Sequence, residues 1–120
     1  MKIGELAKLT DVSTSRIRFY EKHGLIPPPT RLENGYREYS EATISRMRTI
    51  TMSKALGFSL SEIKKFLPDD PKDLMQRSDV ISHLEQKLVE IDQRVVDLGT
   101  IRKKVKVMIT YLKDPNSGAC

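Results

Sequence analysis

The apolar positions divide the chain into short helical pieces, a turn-rich middle and one long repeat. Ile3, Leu6, Ala7 and Leu9 fall inward and Glu5 and Lys8 outward at helical spacing over residues 3–9. Thr10-Asp11-Val12 predicts a turn, and Ser13 an N-cap for a second helix over residues 13–22, with Ile17 and Phe19/Tyr20 as its apolar members. Gly24 suits the position just past its end. Pro27-Pro28-Pro29 forces extended chain. Asn34-Gly35 predicts a two-residue type I′ turn, with positive φ at both residues. Thr30-Arg31-Leu32-Glu33 and Tyr36-Arg37-Glu38-Tyr39 are the strands on either side of it.

Ser40 and Glu41 begin a third helix over residues 41–55, striped by Ile44, Met47, Ile50 and Met52 or Leu56, and Gly57 breaks it. Ser59 or Ser61 caps a fourth helix that runs to Phe66, with Leu60, Ile63, Phe66 and Leu67 inward. Residues 68–73 read as linker.

From Ser78 the period changes. Ile81, Leu84, Leu88, Ile91, Val95, Leu98, Arg102, Val105, Ile109 and Leu112 recur at steps of three and four, and nine of these ten positions are apolar. A heptad repeat this long predicts a coiled coil on a helix over 78–113, about 50 Å in length. Arg102 either fixes the register or faces out where the seam ends. Asp114-Pro115-Asn116-Ser117-Gly118 cannot extend the helix.

Composition adds partners and compartment. At 120 residues a single chain builds only a modest core, so pairing with a second copy is expected. The formal net charge is +5, and residues 1–54 carry ten Lys/Arg against six Asp/Glu. Concentrating the excess on one half is the electrostatic footprint of a phosphate-binding surface. The single cysteine, Cys120, excludes an intrachain disulfide and suits a reducing compartment. No apolar run approaches the roughly 18 residues of a membrane span, and the start lacks a secretory core, so a cytoplasmic, membrane-free protein is expected. No nucleophile–base arrangement, phosphate-cradling glycine loop or metal-ligand cluster appears, so neither catalysis nor a cofactor is expected.

The candidate chemistry lies in the first forty residues. Thr14, Ser15, Arg16, Arg18 and Tyr20 decorate two turns of the second helix, and short hydroxyls with arginines at a helix start suit a major groove. The hairpin adds Arg31, Asn34, Gly35, Tyr36 and Arg37 at a protruding tip. A lone surface arginine is usually just solvated. A helix-turn-helix with a basic second helix and a basic hairpin is far rarer.

Several stretches carry a resemblance. They are Ile3-Gly4-Glu5-Leu6-Ala7, Val12-Ser13, Arg16 through Ile26, Pro28, Arg31 and Asn34-Gly35-Tyr36-Arg37-Glu38-Tyr39. Together they resemble the winged-helix signature of the MerR family of bacterial transcription regulators. The likeness extends through Gly57-Phe58-Ser59-Leu60-Ser61-Glu62-Ile63 and the long helix. It implies an all-α fold with a small β-hairpin wing: a winged helix-turn-helix domain over 1–67, a linker over 68–77, an antiparallel coiled-coil dimerisation helix over 78–113 and a tail over 114–120. It also implies a homodimer on double-stranded promoter DNA. That dimer would distort an over-long spacer so that RNA polymerase engages both promoter elements. By the same likeness Thr14, Ser15, Arg16, Arg18 and Tyr20 are recognition-helix contacts, Arg31, Asn34, Gly35, Tyr36 and Arg37 are wing contacts, and Lys54 touches phosphate. Ile81, Leu84, Leu88, Ile91, Val95, Leu98, Val105, Ile109 and Leu112 form the dimer seam.

The effector is not legible. Ser78 stands where relatives that sense divalent metals carry cysteine, and a serine at that place resembles the copper-type sensors instead. Those sensors need two loop cysteines, and this chain offers Leu112 and Cys120 near the two places. Met108 could join Cys120, but a lone helical Met is more often core. His23 and His83 have no ligand company, and Met52-Ser53 offers no thiol for aldehyde or oxidant sensing. A small effector near Met75, Phe66 and Met108 stays open, with no room for a separate drug-binding domain after Lys113. The alternatives are an architectural or recombination factor, a copper-type sensor with a degenerate site, and an adaptor built on the coiled coil.

Overall fold

The computed structural model describes residues 1–114 and Asn116. The expectations for Cys120 lie outside the described residues. The chain forms two units, Met1–Gln76 and a second that begins at Arg77.

The first unit starts with α1 (Ile3–Thr10) and α2 (Thr14–Lys22). The turn between them closes through Asp11, which adopts φ 53°, the left-handed region that few non-glycine residues enter. This lets the Val12 amide reach back to the Ala7 carbonyl at 3.3 Å. Ser13 caps α2 as expected, its hydroxyl accepting from the Arg16 amide at 3.2 Å. At the other end Gly24, at φ 73°, sits just past the cap residue His23. Its amide reaches the Glu21 carbonyl and that of Leu25 reaches the Tyr20 carbonyl, the paired bonds of a Schellman ending.

The wing is β1 (Thr30–Arg31) paired antiparallel with β2 (Arg37–Glu38), in the register Thr30↔Glu38 and Arg31↔Arg37. The strands are shorter than expected, and the turn is of another kind. Leu32 accepts from the Gly35 amide at 2.9 Å and donates to the Tyr36 carbonyl at 2.8 Å, so the loop is the three residues Glu33, Asn34 and Gly35. Gly35 alone of these has positive φ, at 82°. A type I′ turn would need it at Asn34 as well. This is the three-residue hairpin closed by a glycine bulge. The Asn34 side chain locks it by accepting from the Tyr36 amide at 3.1 Å.

Two helices complete the unit, α3 (Glu41–Ala55) and α4 (Leu60–Phe66). The end of α3 repeats the Schellman pairing, Gly57 to Lys54 and Phe58 to Ser53. Ser59, rather than Ser61, caps α4 in a full capping box with Glu62. Every helix contributes to one core, which includes Leu6, Ile17, Tyr20, Met47, Ile50 and Ile63, with Leu25, Ile26 and Tyr39 from the intervening segments. The apolar stripes differ from expectation at their edges. Leu9, Phe19, Met52 and Leu56 are exposed, while Thr43 and Ser53 are buried in α3. A helix of this size buries only one face, and on α3 that face turns toward Thr43, Met47, Ile50 and Ser53.

Arg46 stitches the segment after α4 to the segment after α2. Its Nε donates to the Leu25 carbonyl at 2.6 Å and its Nη1 to the Pro68 carbonyl at 2.5 Å. Burial lowers its pKa, and the nearby Asp69 and Asp70 charges oppose that shift. Met75 packs against the core from the stretch that follows.

The second unit is α5 (Arg77–Lys113), 37 residues long. Glu90 braces one face, accepting from Lys87 Nζ at 2.8 Å and from Arg94 Nη2 at 2.7 Å. The nine apolar seam residues are each 40–68% exposed. No helix among the described residues is long and apolar enough to cross a membrane.

Candidate nucleic-acid interface

The side chains expected to meet a duplex come from α2 and the wing, with Lys54 added from the end of α3. On α2, Thr14, Ser15, Arg16 and Arg18 are exposed. Their neighbours Ile17 and Tyr20, three positions apart on one helix face, are buried in the core. Tyr20 is only 2% exposed, which corrects its expected role as a DNA contact: it is a core residue. Phe19 takes the outward position instead, its ring 4.3 Å from that of His23.

Two open grooves gather most of the remaining residues. One, about 440 Å³, is lined by Ser13, Ser15, Arg16, Phe19, the buried Tyr20, Lys54 and Leu60, which brings the start of α2 beside the end of α3. The other, about 820 Å³, is lined by Arg18 together with Gly35, Tyr36 and Arg37 of the wing and by Lys2. Thr14, Arg31 and Asn34 are exposed on the same two elements but line neither groove.

The wing is held from two sides. The main chains of Met1 and Tyr39 exchange hydrogen bonds, Tyr39 N–H to Met1 O at 2.7 Å and the Met1 ammonium to Tyr39 O at 2.9 Å. Lys2 Nζ sits 4.4 Å from the centre of the Tyr36 ring, a cation–π contact that places another positive charge at the tip. On the other side the Tyr39 hydroxyl donates to Glu21 Oε2 at 3.1 Å, and Arg37 Nη1 lies 3.5 Å from the same oxygen. Burial, then the Glu21 charge, raises the Tyr39 phenol above its ordinary value of 10.0.

The sequence reading missed Lys2, Glu21 and Arg46. Lys2 lies 34 positions from the ring it covers, and no local pattern reports such a contact. Glu21 did leave a trace. It is an acid in the last turn of a helix, where the dipole disfavours negative charge, among Arg16, Arg18 and Lys22.

The MerR HTH family regulatory protein model matches residues 1–70, and a MerR DNA-binding model matches residues 44–107. The mercuric resistance operon regulatory protein of Bacillus cereus is 38% identical over 113 residues, covering 94% of this chain and 83% of that protein. The transcriptional regulator CueR of Escherichia coli is 31% identical over 122 residues, covering 100% of this chain and 89% of that protein. Among solved structures, the N-terminal part of the Bacillus subtilis multidrug transporter activator superposes with a TM-score of 0.67 at 28% identity, over 88% of this chain and 97% of that one. The winged helix-turn-helix, the long helix and these matches together make the chain a member of the MerR family of transcription regulators.

Proposed function

We propose that two copies of the chain, paired through α5, grip double-stranded promoter DNA. Thr14, Ser15, Arg16 and Arg18 would meet the major groove, and Arg31, Asn34, Gly35, Tyr36 and Arg37 the backbone beside it, with Lys54 on phosphate. Part of the binding free energy goes into deforming the spacer, which an effector then tunes so that RNA polymerase engages. The work is non-enzymatic and cytoplasmic. One observation carries the reading: Arg18 of α2 and Tyr36 and Arg37 of the wing line a single groove.

Charge supports the pairing and its direction. Residues 77–98 hold five acids, Asp79, Glu85, Glu90, Asp92 and Asp97, against three basic residues. Residues 99–113 hold Arg102, Lys103, Lys104, Lys106 and Lys113 and no acid. Antiparallel copies set the acidic half against the basic half, whereas parallel copies set lysine against lysine. An exposed apolar seam flanked by such charges fits a second copy of itself.

The DNA test is a salt titration. A dimer that neutralises about eight phosphates loses on the order of 10⁴ in affinity between roughly 50 and 200 mM salt. Arg18→Ala and Tyr36→Ala should abolish protection of the duplex while dimers persist in sedimentation. A flat salt dependence, or protection by both variants, would sink the reading. For pairing, Ile81→Cys and Leu112→Cys proteins in a Cys120→Ser background should cross-link when mixed and not when separate.

A second reading, a metal-responsive regulator, is favoured by the mercuric resistance regulator among the relatives. Cys120 is this chain's only thiol. A promoter reporter challenged with Hg(II), Cu(I) and Ag(I) separates the two readings: metal-dependent induction that Cys120→Ser abolishes supports the second, and its absence excludes it.

A further inference from the structure

We propose that Glu21 is a positioning residue of the DNA-gripping surface, setting sequence discrimination by holding the wing at a fixed angle to the recognition helix. The inference rests on the DNA-binding reading above and assigns the role to a residue that does not itself touch DNA.

The wing cannot hold its own geometry. Its ladder has two residue pairs, and an isolated two-stranded hairpin is marginal in water. One of the two pairs sets Arg31 opposite Arg37, like charges that push the strands apart. The wing's orientation must therefore come from outside the hairpin. Arg37 and Tyr39 are two residues apart in extended chain, so both side chains project to the same face. Both meet the Glu21 carboxylate there, at 3.5 and 3.1 Å. Tyr39 is 2% exposed and belongs to the core, so Glu21 ties the Arg37 guanidinium to the buried part of the unit.

The carboxylate sits where local rules oppose it. It lies in the last turn of α2, at the negative end of the dipole, and it subtracts charge from a surface otherwise suited to phosphate. Residues that break a local rule are most often found at functional sites. Arg37 has five N–H donors, and one directed at Glu21 leaves the rest for phosphate in a preset orientation. A guanidinium that arrives oriented loses less freedom on binding, so the wing favours the duplex shape that matches its fixed angle.

Two duplex probes test this: one selected from a randomised pool by the wild-type protein, and poly(dI-dC) as non-specific competitor. Glu21→Gln keeps an acceptor for the Tyr39 hydroxyl and removes the negative charge that faces Arg37. It should lower the ratio of selected to non-specific affinity by about tenfold, with non-specific affinity equal to wild type or higher, because an acid has left the surface. A purely structural role would lower both affinities together as the unfolding midpoint fell, and that result would overturn the proposal. Arg37→Lys is the second variant, for use if Glu21→Gln does not fold. It keeps the charge but loses the planar fork, and should show the same loss of discrimination. A ratio within twofold of wild type in whichever variant folds would also overturn the proposal. If wild type selects no duplex from the pool, the DNA-binding reading itself fails and this inference falls with it.

Discussion

Arg31 and Arg37 occupy directly opposed positions in the wing, and cross-strand partners share one face of the ribbon. Two guanidinium groups in register weaken the hairpin that carries them. The same two groups concentrate positive charge on a tip that also bears Lys2 against Tyr36. The wing is thus less stable alone than its backbone permits, and a polyanion relieves the cost.

Arg31→Gln should therefore move stability and binding in opposite directions. Chemical denaturation should show a gain of about 0.5 kcal/mol as the repulsion is removed. The slope of log affinity against log salt should become shallower by about one unit per protomer as a phosphate contact is lost. If both quantities fall, Arg31 is a structural residue of the wing.

The two turns around α2 make a paired prediction about backbone strain. Gly24→Ala places a side chain at φ 73° and should cost about 1 kcal/mol in unfolding free energy. Asp11 already bears such a strain at φ 53°, so Asp11→Gly should be neutral or stabilising, and Asp11→Val should lose about 1–2 kcal/mol. Thermal melts of the three variants check the order.

Arg46 offers a third test. It gives charge-assisted hydrogen bonds to two backbone carbonyls, Leu25 and Pro68, on segments 43 residues apart in the chain. Arg46→Met retains the aliphatic stem and removes both bonds, and should cost about 2–3 kcal/mol. Hydrogen exchange should also rise selectively in the two segments that Arg46 joins. A uniform rise instead would place its contribution in packing alone.

Tyr39 predicts a pH dependence. The folded phenol holds its proton more tightly than the unfolded one, so as pH rises past 10.0 the unfolded state loses its proton first. The contribution is complete below that pH and is lost above it. Wild type should lose more stability than Tyr39→Phe between about pH 9 and pH 11, as read from denaturant midpoints. Parallel curves would contradict the raised value.

Much of the local architecture was legible in the residues because it is decided within a few positions. Ser13 and Ser59 cap helices with their own side chains, and Gly24 and Gly57 end helices through bonds that span one turn. The heptad seam follows from spacing alone. The wing turn was misread because a two-residue and a three-residue hairpin share the Asn-Gly pair. They differ only in which carbonyl the neighbouring amides reach, Leu32 pairing with Tyr36 rather than Glu33 with Tyr36.

By itself the sequence determined the order of the elements, the helix ends, the basic character of the first half and the exposed seam of α5, because each depends on periodicity or on one residue's conformational preference. Only the tertiary structure decided that Tyr20 packs inward and Phe19 outward. Two adjacent aromatics satisfy the same helical pattern, and the core against which α2 packs chooses between them. Tertiary structure also decided that Glu21, Arg37 and Tyr39 meet, that Lys2 covers Tyr36, and that Arg46 joins two distant carbonyls. Charge–charge and charge–dipole contacts act through space and leave no period in the chain.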